Sequence, residues 1–296
     1  MMEKVKFKKF SLLLSLTLIC SCTLMKGKSR TGLKLVSQDI KLQPGMVTYA
    51  SFVLPEDMSI PKLMCNDKEL KYYEERGMGY VYITESYFSK IKPYDCFLTE
   101  GNYKEQVFRV SVSEYPYKEE KLRVNRKRVV LSKKDMKRVI REQKMLNRIY
   151  SNSSRRPYFD GPFKLPMKSY ITSKFGTKRT FNNIKKGQHL GTDFRAAVGV
   201  PIPNSNRGKV VFAGDLFYTG NTVIVDHGMS IFTVYAHMSK ISAEEGQMVD
   251  TLDILGLAGM TGRVSGPHLH WGVKVQGDRV SGFSLIEASE KQFNLK

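Results

Sequence analysis

The chain is poor in acid, cysteine, histidine and tryptophan. Its 296 residues carry 28 Asp or Glu against 48 Lys or Arg, a formal charge of +20. Four cysteines are too few for a disulfide scaffold and stand in the wrong places for a Cys-rich zinc site. With 23 Gly and 11 Pro the composition is neither collagen-like nor low-complexity. No run of 18 or more apolar residues occurs, so no ordinary membrane-spanning helix is expected. What is present is 41% hydrophobic and 11% aromatic residues, which excludes a disordered chain. At roughly 150 residues per domain, about two domains are expected.

The first residues read as an address. Lys4, Lys6, Lys8 and Lys9 precede an apolar run from Phe10 to Cys20. A basic start followed by a short apolar core is the pattern of a secretory signal peptide. A buried helix is the alternative, but charge flanks the run and no polar face interrupts it. The end of the run, Ile19-Cys20-Ser21-Cys22, resembles a bacterial lipobox. That resemblance implies a 1–22 signal of lipoprotein type, lipidation of Cys22 and an exported, membrane-anchored location in the cell envelope. Plain secretion and an uncleaved anchor remain open. Cys65 and Cys96 would then be an even pair in an oxidising compartment, where either a disulfide or two separate buried thiols is consistent with the sequence.

Residues 23–118 are β-rich. The runs 47–53, 79–84 and 106–112 are full of β-branched and aromatic residues and separated by turn-formers, which predicts a small accessory β-sandwich. This segment contains no histidine, so spacing or docking is its expected role. Residues 121–188 hold 21 Lys or Arg against 3 Asp or Glu. Within this tract Ser132-Lys133-Lys134-Asp135 resembles a capping box, and Met136, Val139, Ile140, Met145, Leu146 and Ile149 follow at helical spacing. An amphipathic helix over 133–150 is predicted, inside a basic helical linker at 119–160. The tract suits an anionic wall or lipid surface through summed charge; a merely solvated helix face is equally consistent. No recognised nucleic-acid motif accompanies it, and nucleic acid is not an expected partner.

From 161 to 296 the pattern turns to short extended runs at 209–213, 222–226, 231–237, 253–258 and 269–276, predicting a largely antiparallel sheet without long helices. All five histidines lie here. In His189-Leu190-Gly191-Thr192-Asp193 a gap of four puts imidazole and carboxylate on one face, and both are good zinc ligands; the spacing alone is common. In His268-Leu269-His270-Trp271 a strand would turn both imidazoles one way and both apolar side chains the other. His237, ending Tyr235-Ala236-His237, reads by itself as a core or rim residue.

Together these segments are similar to the lysostaphin/LytM-type zinc metallopeptidases. The likeness covers roughly 165–277: Ser173-Lys174-Phe175-Gly176, His189-x-x-x-Asp193, Tyr235-Ala236-His237 and the stretch Thr261 to His270. It implies a mainly β fold whose C-terminal antiparallel sheet is a metallopeptidase domain. It also implies one Zn²⁺ held by His189, Asp193 and His270, with His268 and His237 catalytic. His227 matches no catalytic position and reads as a hairpin end, and Trp271 reads as packing. The implied activity is hydrolysis of the peptide cross-links of bacterial peptidoglycan by a metal-activated water. The alternative is a wall-binding activator without catalysis; some members of the family have lost their ligands, whereas all five positions are present here.

Overall fold

The structure, a computed structural model, describes residues 37–56, 58–59, 61–122, 131–181 and 185–294. The expected signal segment with Cys20 and Cys22 lies outside the described residues, as do 123–130 and 182–184 of the basic tract. Leu35–Lys296 forms one compact unit. Among the described residues no helix is long and apolar enough to cross a membrane.

The N-terminal half is a sandwich, as the runs of β-branched and aromatic residues predict. One sheet has five strands in the order Gln38–Leu42, Tyr103–Val112, Tyr94–Glu100, Lys62–Cys65 and Lys68–Leu70. The other has Met78–Thr84 paired between Val47–Val53 and Tyr73–Glu75. Cys65 and Cys96 are directly opposed across neighbouring strands and joined by a disulfide. The strand pair Val47–Val53 and Met78–Thr84 is apolar on both faces for a reason. Ala50, Phe52, Val81 and Ile83 enter the sandwich core, while Val47, Tyr49 and Tyr82 enter the larger core behind them. Strands buried on both sides lose the clean alternation of a half-exposed sheet.

The C-terminal half is built on an eight-stranded antiparallel sheet. Its path runs Ile171–Ser173, Thr192–Arg195, His268–Val275, Ile231–Met238, Gly220–Asp226, Gly208–Leu216 and Met248–Val249, and Asp278–Val280 adds to His268–Val275. Each predicted run from 209 to 276 falls on one of these strands or, for 253–258, on Ile254–Leu257 of a smaller sheet beside them. One face of the large sheet is closed. Leu269, Trp271, Val273 and Val275 point there with Ile231, Tyr235, Val223 and Val225.

Two helices take opposite faces. The helix α1 (Lys133–Ser151) has Ser132 as its N-cap, the Oγ accepting from the Asp135 amide at 3.1 Å. Its apolar stripe, Met145, Leu146, Ile149 and Tyr150, rests on Phe212, Leu216, Ile224, Phe232 and Val234. Val234 is paired with Gly272, two residues from His270, so α1 lies on the face that carries the histidine pair. Met136 and Ile140, predicted in the stripe, stay exposed on the first turns of the helix. There Arg138 pairs with Glu142 and Asp215.

The helix α2 (Gly282–Asn294) corrects the expectation of no long helix in this half. Three of its six buried positions are Ser284, Ser289 and Gln292, so half of its inward stripe is polar and the hydrophobic period is muted. These side chains lock it in place. Ser284 Oγ accepts from the Val47 amide, Ser289 Oγ accepts from the Phe163 amide, and Gln292 accepts from Tyr82. Each satisfied bond avoids the cost of a buried orphan group, and those from Val47 and Tyr82 fasten the sandwich to the closed face.

Candidate active site

Thr192–Arg195 lies beside His268–Val275 with Asp193 opposite His270, so the pleat puts carboxylate and imidazole on the same side. His189 stands four residues earlier, where the chain leaves the Lys185–Gln188 strand. The turn between them depends on Gly191: a Cβ there would meet His270 Cε1 at 2.4 Å and Nε2 at 2.5 Å. Only glycine lets the backbone pass so close to the imidazole.

Three ligand atoms converge. His189 Nε2 is 3.0 Å from Asp193 Oδ1 and 3.2 Å from His270 Nδ1, and His270 Nδ1 is 2.8 Å from the same Oδ1. Among the described residues this trio is the group able to hold a metal ion. The donor chemistry fits one. His189 Nδ1 faces the Lys174 carbonyl at 3.1 Å, a carbonyl that holds the proton on Nδ1 and leaves Nε2 bare. A bare nitrogen and a carboxylate oxygen, both acceptors, so close together call for a cation between them. Two imidazoles and one carboxylate form a set typical of catalytic zinc, with a coordination position left over.

The electrostatics agree. Burial opposes ionisation of Asp193, yet the imidazoles of His189 and His270 outweigh it and hold the carboxyl well below the usual carboxylate range. Burial pushes His270 down, opposed by Asp193. Both shifts keep the ligands in the forms that bind metal, carboxylate and neutral imidazole.

His268 and His237 face the trio. His268 Nε2 is 3.7 Å from Asp193 Oδ1, and the His237 and His268 ring centroids are 4.8 Å apart. Each ring is aimed by a carbonyl on its other nitrogen: Gly266 for His268 and Thr261 for His237, both at 2.9 Å. Both Nδ1 atoms therefore donate, which leaves both Nε2 atoms as acceptors. His237 has φ +65°, a region that non-glycine residues enter at a cost of about 1–3 kcal/mol. Its amide donates to the Thr219 carbonyl, so the backbone kinks out of the strand and swings the ring inward. Burial, then His270 and His268, push His237 down to about 4.

All five residues named from the sequence thus meet in one place. His227 does not join them. It is fully buried on the closed side, with Nδ1 donating to the Arg207 carbonyl and Nε2 accepting from Thr233. Trp271 is buried in the core. One neighbour escaped the sequence reading. Arg179, on the Lys178–Phe181 strand, donates from Nη2 to Ser173 Oγ at 2.6 Å and lies 3.8 Å from Asp193 Oδ2. Ser173 Oγ is in turn 3.1 Å from His189 Nδ1. Arg179 steadies two candidate ligands at once, yet in sequence it is one cation among many.

Residues 187–281, about a third of the chain, match peptidase family M23. Two curated relatives sharpen this. The chain is 41% identical over 112 residues to the peptidoglycan DD-endopeptidase ShyA of Vibrio cholerae, covering 38% of this chain and 26% of that protein. It is 37% identical over 97 residues to the DD-carboxypeptidase/endopeptidase Mpg of Neisseria meningitidis, covering 33% and 22%. The chain thus spans about a quarter of the length of these relatives. A Pseudomonas aeruginosa crystal structure assigned to peptidase M23 matches with TM-score 0.63 and 28% identity, over 83% of this chain and 95% of that one. The structural likeness therefore extends beyond the family match into the N-terminal half.

Proposed function

We propose that the chain is a zinc metalloendopeptidase that hydrolyses peptide cross-links of peptidoglycan, with His189, Asp193 and His270 holding one ion and His268 and His237 catalytic. The observation that carries this reading is the convergence of His189 Nε2, Asp193 Oδ1 and His270 Nδ1 beneath two imidazoles with free Nε2 atoms. The likeness to ShyA and Mpg supports the substrate class. When bound, zinc would supply a polarised carbonyl and a water acidified towards a pKa of roughly 7.

The chain's own residues do the rest. Asp193 contributes one negative charge, leaving the centre net positive and suited to charge that gathers in the transition state. His268, held by Gly266, takes a proton at Nε2 and returns it to the leaving amine. His237 assists from the adjoining side, its Nε2 an acceptor that burial keeps unprotonated. The Ser173, Arg179 and Lys174 contacts keep the ligands in register so that little reorganisation is required.

The signal segment and Cys22 support export and tethering in the cell envelope. The cations along α1 support attraction to an anionic wall or lipid surface, weakened by salt. The test is digestion of purified peptidoglycan by the protein with and without a zinc chelator. Chelator-sensitive loss of cross-linked peptides with intact glycan strands is the expected result. A folded, zinc-loaded protein that binds the wall without cutting it would instead be an activator.

A further inference from the structure

The metal-bearing face continues past His270 into a pair of cations. Lys274 lies two positions beyond Gly272 on the same side of its strand and is directly paired with Arg279. A Cβ on Gly272 would stand 3.7 Å from His270 Nε2 and 3.9 Å from Arg279 Nη1, so the guanidinium lies beside the third candidate ligand. Lys274 is fixed: its Nζ donates to the Gly277 carbonyl at 2.6 Å and sits 5.0 Å from the centre of the Tyr150 ring on α1.

Like charges opposite one another on neighbouring strands repel, and an acid nearby would normally compensate. Among the described residues no carboxylate forms an ion pair with Arg279 or Lys274. Asp278, the adjacent acid, points to the other side, where its carboxylate is taken by Lys68 Nζ at 2.7 Å and Thr84 Oγ1 at 2.9 Å. Both cations are half-buried, which sharpens the cost. Burial and then Arg279 push Lys274 down to about 8, opposed by Asp278.

We propose that Arg279, backed by Lys274, is a subsite for a carboxylate of the peptide that lies across His268 and His270. The proposal rests on the peptidase reading above and adds a selection rule to it. A guanidinium presents a planar fork matched to a carboxylate. The site flanks the candidate metal centre, within about two residues of extended chain at roughly 3.4 Å each. The ligand class is therefore an acidic peptide, and its free carboxylate is what the subsite reads.

The test is calorimetric binding of uncrosslinked stem peptides, which hold no cross-link to cut, to the full chain loaded with zinc. Three peptides are compared: one with all carboxylates free, one amidated at the chain end and one amidated at the side-chain carboxylate. The expected result is about tenfold weaker binding of one amidated form, which identifies the carboxylate. In R279Q that ratio should fall to about two because only the acidic form weakens. Should R279Q fail to melt like the parent, R279K keeps the charge but not the fork and should lose part of the ratio. Equal binding of all three peptides by the parent protein, no binding at all, or equal weakening of every peptide in R279Q would overturn the subsite. Cleavage of peptidoglycan without discrimination would leave the hydrolase and remove this subsite. Discrimination without cleavage would do the reverse.

Discussion

The two faces of the His268–Val275 strand carry opposite duties on alternate residues. His268 and His270 open onto the candidate metal centre, while Leu269, Trp271 and Val273 seal the core under the sandwich and α2. The same contrast separates the histidines. His227 on the closed side is saturated by a carbonyl and a hydroxyl, whereas His237 and His268 on the open side each keep one nitrogen free. The lesson is that residue type does not mark a catalytic group here. What marks the candidates is an Nε2 turned towards the His189, Asp193 and His270 trio.

This contrast is broken most sharply by paired substitutions on the one strand. His268→Ala should lower kcat by about 10²–10⁴-fold while zinc content and melting temperature stay near the parent's. Loss of zinc would instead make His268 a ligand. Trp271→Ala, one position away, should do the opposite, costing about 3–5 kcal/mol of stability through a cavity, read by denaturant unfolding.

The closed-side histidine gives a pH signature. Burial holds His227 at about 4, below roughly 6.5 for the unfolded chain. The unfolded state therefore binds the extra proton, and stability is lost as pH falls from about 6.5 to 4, by about 3 kcal/mol from this group. His227→Gln should flatten that part of the stability–pH curve; an unchanged slope would show that His227 does not set it.

Arg179→Ala should weaken zinc binding by about 10–100-fold, measured by competition with a chelator, because Asp193 and the Ser173–His189 contact both lose their tether. Unchanged affinity would make Arg179 a packing residue. The smallest effect expected is about 1 kcal/mol for Ser132→Ala, from loss of the α1 cap. That loss should appear in unfolding but not in zinc affinity, since α1 touches the sheet away from the ligands.

Much of the site was legible because strand geometry writes it in period two. His268 and His270 had to share a face, and the order of the motifs fixed the family resemblance. The capping box at Ser132 likewise marked the start of α1 within a residue. What stayed hidden depends on contacts between distant segments. The turn of His237 into the site needs a positive φ imposed by Thr219 and Thr261. Arg179 is brought to Asp193 only when the Lys178–Phe181 strand folds back over the sheet. The helix α2 hides its period because Ser284, Ser289 and Gln292 occupy buried positions, hydrogen-bonded to Val47, Phe163 and Tyr82.

The most direct measurement is the zinc content of the purified full chain, read by elemental analysis beside the variants Asp193→Ala, His270→Ala and His268→Ala. One ion per chain in the parent and in His268→Ala, with loss in the other two, is the predicted result. A parent protein that takes up no zinc, or an Asp193→Ala and His270→Ala pair that keep it, would contradict a centre built on these ligands.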